Sequence, residues 1–275
     1  MEKIINQKED IKEEQKEEQK EEQKEDIKED RKEEQKEEQK EEQKEEQKED
    51  KKEDITILNS ITENLLSWLF IIVSVSIVSY PNCLVGFFTF IVFLFLAYFS
   101  HLKSHEERNF FTILHHYHHE NNNFFSHISQ VLTELAFPVL FIPLYFIFGT
   151  TFFNEWILLL FPIFYSSVHN INYGFFRVND VHYLHHQFVQ TNIGPDICDI
   201  IFNTKNNQNI NVENTNHYIP NIIIGTILVL IVKHFYYKSD EWKSRIHTLM
   251  YSFLGLSFLF SATSSIYLYF YYKHF

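Results

Sequence analysis

Six of the fifteen histidines fall within residues 100–120, which read SHLKSHEERNFFTILHHYHHE. They are spaced as His101-x-x-x-His105, then His115-x-x-His118-His119, and a second set, His182-x-x-His185-His186, repeats the latter spacing with His169 upstream. Residues at i, i+3 and i+4 share one face of a helix, so each set presents its imidazoles in one direction. Neutral imidazole ligates Fe, Zn, Cu and Ni, so nitrogen count alone does not choose the element. The eight boxed rings of these three sets are about double what one tetrahedral metal takes, and they predict two ions. A lone histidine near an apolar surface is usually a hydrogen-bonded side chain, and His127, His217, His234, His247 and His274 are read so. His116 lies inside its box but off the spacing and is left outside the site. Histidine tracts also arise as low-complexity sequence. Two short boxes of identical spacing, each following paired hydrophobic runs, do not fit that description.

The elements that must hold these rings are apolar. Residues 64–100 contain no charge at all. Residues 1–54 hold 15 of the 24 Lys+Arg and 25 of the 37 Asp+Glu, so 15 − 25 = −10 of the net charge of −13 belongs to them. The remaining chain is rich in Phe, Ile and Leu and poor in charge, which reads as membrane-embedded. Two cysteines, Cys83 and Cys198, make no disulfide framework and no Cys-x-x-Cys site. No secretory signal follows Met1.

Three parts are expected: a charged tail over 1–54, a catalytic domain over 55–218, and interfacial and membrane helices over 219–275. The tail repeats KEEQ, and its good helix formers, with lysine over lysine at i+4, leave a solvated helix and a disordered tether both tenable. It lacks the apolar seam of a coiled coil. The fold class expected is all-α, a polytopic helical membrane protein with two transmembrane hairpins. The first hairpin is 64–80 with 83–100, turning at Pro81-Asn82; the second is 135–153 with 156–176. If each crosses and returns, both histidine regions emerge beside the tail, on the cytosolic face. Residues 219–232, short and containing Pro220, are expected to be interfacial or re-entrant. That reading keeps Lys233, Lys238, Lys243 and Arg245 on the tail side. Residues 248–272 are expected to cross.

The series HxxxH, HxxHH, HxxHH after paired membrane helices resembles the fatty acid hydroxylase/sterol desaturase superfamily of integral membrane di-iron oxygenases. The stretch HHQFVQTNIGPDICDIIFNT supports it through Asn192, Gly194, Asp199, Phe202 and Thr204, with Asn203 where the family usually has Gly. The resemblance covers roughly 64–205. Leu102 replaces a frequent Arg, and a further HxxxH is reduced to His169, with Tyr165 or Tyr173 at the partner position. The resemblance implies two iron ions held by His101, His105, His115, His118, His119, His169, His182, His185 and His186.

It further implies oxidation of an unactivated C–H bond of a fatty acyl, sphingoid or sterol lipid, giving an alcohol or, on the same scaffold, an alkene. Carboxylates usually orient metal-bound imidazoles through their other nitrogen. Glu106, Glu120 and Asp180 flank the boxes and are candidates, each equally readable as a solvated charge at the interface, with Asn192 and Asp199 added by their motif. No flavin, dinucleotide or haem motif is present, so the implied electron source is external. A b-type cytochrome with its NAD(P)H reductase, in the endoplasmic reticulum, is the family's usual donor. Nucleic acid is not an expected partner. A non-catalytic membrane metal-binding or transport protein is the alternative of another class. Transport is disfavoured because the boxes sit at the ends of spans rather than at mid-membrane.

Overall fold

The computed structural model describes residues 56–274 except 122, 142–146, 148–150 and 207–210. The tail and the middle of the expected 135–153 span lie outside the described residues. Every regular element among the described residues is helical.

Helices α1 (Ile57–Glu63) and α2 (Leu65–Ser79) meet at a bend of 79°. Asn64, at the bend, is 1% exposed. Its amide donates to the Glu213 carbonyl and its Oδ1 accepts from Thr215 N, both at 2.7 Å. The kink therefore ties the start of the first hairpin to a loop some 150 residues on. A turn at residues 80–82 leads into α3 (Cys83–Ser104). Gly86 lets the two helices close: a Cβ there would come within 2.2–2.3 Å of the Ser79 side chain.

Next come α4 (Ile113–Glu120), α5 (Phe124–Ala136) and a 3-10 turn, Phe137–Phe141. Asn123 caps α5 by accepting from Ser126 N at 2.9 Å. Asn154 caps α6 (Glu155–Ser167), which continues as a π-helix over Val168–Phe176. Two short helices, α7 (Val181–Gln187) and α8 (Asp196–Phe202), precede a 3-10 turn at Thr215–Tyr218. The chain ends in α9 (Ile219–Lys238) and α10 (Asp240–His274).

The core lies between α2, α3, α6 and α9, where Val75, Phe93, Ile157, Ile222 and Val229 are fully buried. Phe161 meets Phe90 and Phe93 edge-on with centroids 5.5 and 5.6 Å apart. The outer surface is equally apolar, with Leu84, Leu249 and Phe258 turned outward. In lipid such a bundle is held by packing and internal hydrogen bonds rather than by expulsion of water.

Three stretches are long and apolar enough to cross a membrane: Cys83–Ser104, Thr215–Lys238 and Asp240–Lys273, with the bent α1–α2 pair a possible fourth. The expectation for 219–232 rested on a short apolar run, and the helix there is longer than that run, Ile219–Lys238. Pro220 sits in the first turn of α9, where its missing N–H costs nothing, and the helix runs unbroken to Lys238. The basic residues move accordingly. Lys233 donates to the carbonyls of Val78 and Tyr80, at 2.8 and 3.0 Å, beside the α2–α3 turn. That is the opposite end of the bundle from His101, at the other end of α3. Helix α10 returns, and its last turns pack on α4 through Leu268, Ile113 and Leu114. Residues 156–176, expected as an arm of the second hairpin, are α6 and its π-helical extension.

Candidate metal centre

The boxed histidines come from α3 and its C-cap (His101, His105), α4 (His115, His118, His119) and α7 (His182, His185, His186). Their ligand atoms fall into two groups. His101, His105, His115, His119 and His185 form one, and His118, His182 and His186 the other, with the atoms of each group within 4.8 Å of one another. The sets split reciprocally. Helix α4 gives its outer pair, His115 and His119, to the first group and His118 to the second. Helix α7 gives its outer pair, His182 and His186, to the second group and His185 to the first.

Helical angles explain the split. Residues i and i+4 differ by about 40° around the axis, while i+3 lies about 60° to the other side. An HxxHH set wedged between two centres therefore serves both.

The backbone fixes several rings through their outer nitrogens. His101 Nδ1 bonds the Ile193 carbonyl and His185 Nδ1 the Thr191 carbonyl, each at 2.8 Å. A carbonyl only accepts, so both rings carry their hydrogen on Nδ1 and turn a bare Nε2 lone pair inward. Yet those two Nε2 atoms lie 3.1 Å apart. His105 Nε2 lies 3.1 Å from His185 Nε2 and 3.0 Å from His115 Nε2, and His182 and His186 meet at 2.9 Å.

Extra protons are a poor way to relieve these contacts. Burial, with mutual repulsion, pushes His105 and His186 down to about 4 and His185 to about 3. A shared metal relieves them directly, because two nitrogens each about 2.0–2.1 Å from one ion and at right angles lie about 2.9 Å apart. His118 Nε2 and both nitrogens of His119 are buried with no hydrogen-bond partner among the described residues. Orphaned buried nitrogens in an all-imidazole cluster fit a metal.

The segment 191–193 supplies two orienting carbonyls because Asn192 is left-handed, with φ 50°. Asp199 braces it: Oδ2 accepts from Gly194 N at 2.8 Å and Oδ1 from the Thr204 hydroxyl at 2.7 Å. Asn192 N closes the loop on the Thr204 carbonyl at 2.7 Å, and Asn192 Oδ1 accepts from Asn206 N at 2.9 Å. Phe202 stacks on Tyr98, whose hydroxyl reaches Thr204. Asn203 takes the left-handed position ending α8, φ 55°, a place Asn fills next best after Gly. Asp199 and Asn192 thus hold the loop that holds the histidines.

The flanking acids do something else. Glu106 pairs with Lys103, and Glu120 with Arg108. Asp180 is exposed and meets α7 through its carbonyl, which accepts from Leu184 N. His116 bonds the Glu106 carbonyl, outside both groups. The carboxylate that does reach a predicted site ring is Glu134, which bonds His169 Nδ1 and also accepts from Gln130 and Asn170. Its signal was present: it is the one Asp, Glu, Lys or Arg between Glu120 and Glu155. Ser126, bonded to His118 Nδ1 at 3.1 Å, had no comparable signal.

His169 sits beside the second group, its ring 4.6 Å from that of His182, but its nitrogens are outside the set that closes within 4.8 Å. His101, His169 and His182 open onto a cavity walled by Trp68, Phe90, Leu94, Phe161 and Phe164. Compared with family models, with curated proteins and with solved structures, the chain matches none.

Proposed function

We propose that this protein is a di-iron, O2-dependent membrane oxygenase that hydroxylates a lipid C–H bond, with desaturation the alternative outcome on the same scaffold. One observation carries the reading: two groups of inward-facing imidazoles, made from three sequence boxes, border an apolar cavity inside a helical body with membrane-length spans. The larger group would hold one ion, and His118, His182 and His186 a second. Fewer ligands leave open positions, as catalytic metal sites require. When bound, the metal pair supplies the reduction of dioxygen and the removal of hydrogen from an unactivated carbon.

The chain's own residues orient and exclude. The Ile193 and Thr191 carbonyls set the tautomers of His101 and His185. Glu134 and Ser126 turn His169 and His118. Phe90, Phe161 and Phe164 line the approach and keep water from it, so a methylene is held in place without a competing nucleophile. Electrons come from an external donor, a b-type cytochrome with its reductase, docking at the histidine end of the bundle. We place that end and the tail in the cytosol, at the endoplasmic reticulum, because an acidic repetitive tail is easier to leave there than to translocate, although Lys233 at the opposite end counts the other way.

Lipid extracts of cells lacking and overproducing the protein, compared by mass spectrometry, test the reading. A product heavier by one oxygen marks hydroxylation, and one lighter by two hydrogens marks desaturation. No change in any lipid, from protein shown to carry iron, would sink both.

A further inference from the structure

The cavity beside His101, His169 and His182 is not apolar throughout. Beyond the aromatic wall it ends at Ser60, Asn64, Ser67, Glu213, Thr215 and Tyr218. The hydroxyl protons of this end are already committed. Tyr173 donates to Glu213 Oε1, which leaves Tyr218 to donate to the Tyr173 oxygen at 2.7 Å. Ser67 donates to the Asn64 carbonyl at 2.9 Å, which leaves Thr215 to donate to Ser67 at 2.6 Å. Ser60 donates to Asp196 Oδ2. What remains is acceptor capacity.

Two carboxylates hold most of it. Glu213 is 5% exposed and Asp196 4%. Glu213 Oε1 takes both Tyr173 and Asn179, while its Oε2 takes no hydrogen bond from any described residue. Asp196 spends Oδ1 on Lys205, and its Oδ2 contacts, from Ser60 and from Glu213 N, are both long at 3.4 Å. Among the described residues, Lys205 pairs with Asp196, and the nearest cationic partner of Glu213 is His217, whose Nε2 lies 3.9 Å from Oε1. Burial pushes the Glu213 carboxyl up to about 7.

We propose that the cavity takes a single-chain lipid whose head group donates hydrogen bonds, an amine or a hydroxyl, to Glu213 and Asp196, and that it rejects a free carboxylate or phosphate head. An acceptor-only anionic head would meet a like charge at the Glu213 and Asp196 end, where the hydroxyl protons are spent on neighbouring groups, a penalty by which polar sites discriminate. The chain of the lipid lies along Phe90, Leu94 and Phe161. Tyr173, the donor to Glu213, stacks on His182 with centroids 5.7 Å apart, so the head is anchored next to the histidines. The proposal rests on the oxygenase reading only in treating the occupant as substrate.

Binding to the purified full-length chain in nonionic detergent, followed by native mass spectrometry with octadecylamine, octadecan-1-ol and octadecanoate, tests it without turnover. The amine and the alcohol should bind at least about tenfold tighter than the carboxylate, the scale of a hydrogen bond to a charged group. Glu213→Gln should cut amine affinity by about tenfold and leave the alcohol within about threefold. Leu94→Trp, which fills the apolar part, should weaken all three probes alike. Octadecanoate binding as tightly as the amine, an unchanged amine-to-carboxylate ratio in Glu213→Gln, or undiminished binding in Leu94→Trp would each overturn it. The wild-type ratio needs no variant to fold. The expected ratios without any oxidised product from metal-loaded protein would uphold the head-group assignment and sink the oxygenase reading.

Discussion

The two histidine groups are built from the same sequence elements and end up unequal. Each receives an outer pair from one HxxHH set and a middle ring from the other, three rings apiece. The first group then gains His101 and His105 from α3. The element in the corresponding place for the second is the π-helix, which offers His169 and, four residues on, Tyr173. Tyr173 stacks on His182 at the second group but puts its hydroxyl on Glu213. A nearly two-fold arrangement of ligands is therefore broken at one HxxxH, and broken on the side that faces the cavity. The difference separates a closed site of five rings, two of them locked by loop carbonyls, from an open one of three, and each lends one ring, His101 and His182, to the cavity.

That contrast is broken most directly by removing one ring from each group. Loss of one of three ligands should cost the second group its ion: His118→Gln and His182→Gln should drop metal from two ions per chain to one. Product should fall at least about 10³-fold, since small misplacement of the oxidant is amplified on an unreactive bond. Loss of His119 leaves four ligands in the first group, so His119→Gln should keep both ions and lose only about 10–100-fold in turnover. His185→Gln is the exception there and should abolish product, because its Nε2 neighbours both His101 and His105. His127→Gln and His234→Gln should change neither quantity; the His127 ring lies 6.0 Å from His118, a demanding control. Elemental analysis and product assays on equal amounts of membrane-inserted protein decide it. Equal metal loss in His119→Gln and His182→Gln would erase the distinction between the groups.

The contrast can also be reduced by adding what is missing. Tyr173→His should restore an HxxxH pair with His169 and tighten the second ion by about 10–100-fold, the usual worth of a ligand-shell change. A competition titration with a chelator reads this. Unchanged affinity would mean that position 173 does not correspond to His105.

How much of this was legible in the sequence differs between the same two regions. Spacing alone aligned the rings within each set, because i, i+3 and i+4 is a statement about one helix and needs no knowledge of the rest. Division into two groups was not legible, since it depends on how α4 and α7 face each other. The loop motif marked Asn192 and Asp199, but their action through the Thr191 and Ile193 carbonyls is a tertiary fact. For the flanking acids the sequence left a solvated charge as open as a role beside the rings, and Glu106 and Glu120 pair with Lys103 and Arg108 while Asp180 is exposed. Glu134 was missed because it lies at the edge of an apolar run and reaches the site across 35 residues. The helical class and apolar spans followed from composition. The length of α9 did not, because the uncharged run ends at Lys233 whereas the helix continues to Lys238, and a first-turn proline such as Pro220 is benign.

Orientation of the rings should matter less than their presence, and more at the open site. Glu134→Gln keeps the shape but removes the carboxylate that turns His169, and should lower turnover by about 10–100-fold with metal content intact. Loss of metal instead would make His169 a principal ligand.

Acid should separate apo from loaded protein more gently. The native rings of His105, His185 and His186 sit at about 3 to 4, below the usual histidine value. As pH falls below about 6.5 the unfolded chain binds protons that the native cluster refuses, so apo stability, fully present above that value, declines toward about pH 4. Bound metal penalises protonation of its ligands further, so the loaded protein should hold its melting temperature over the same window. Parallel decline of both forms in thermal unfolding would show that the cluster does not govern acid stability.

Smallest of all should be the effect of deleting residues 1–54. Each ring of both groups, each carbonyl and side chain found to orient one, and each cavity residue named above lies between Ser60 and Tyr218. The deleted segment contains no histidine, and its repeat offers no apolar face for packing. Its −10 of charge is long-range and screened over about 8–10 Å at physiological salt, so any contribution should be to encounter with a charged donor rather than to the chemistry. The truncated protein should insert, carry two ions and turn over within about twofold of the full chain when electrons come from a small chemical reductant. Repeating the assay with the protein donor at low and high salt then isolates the tail. A salt-dependent loss confined to the protein donor would assign the tail to docking, and a loss with the chemical reductant would show that the closed and open sites alike depend on a segment lying outside them.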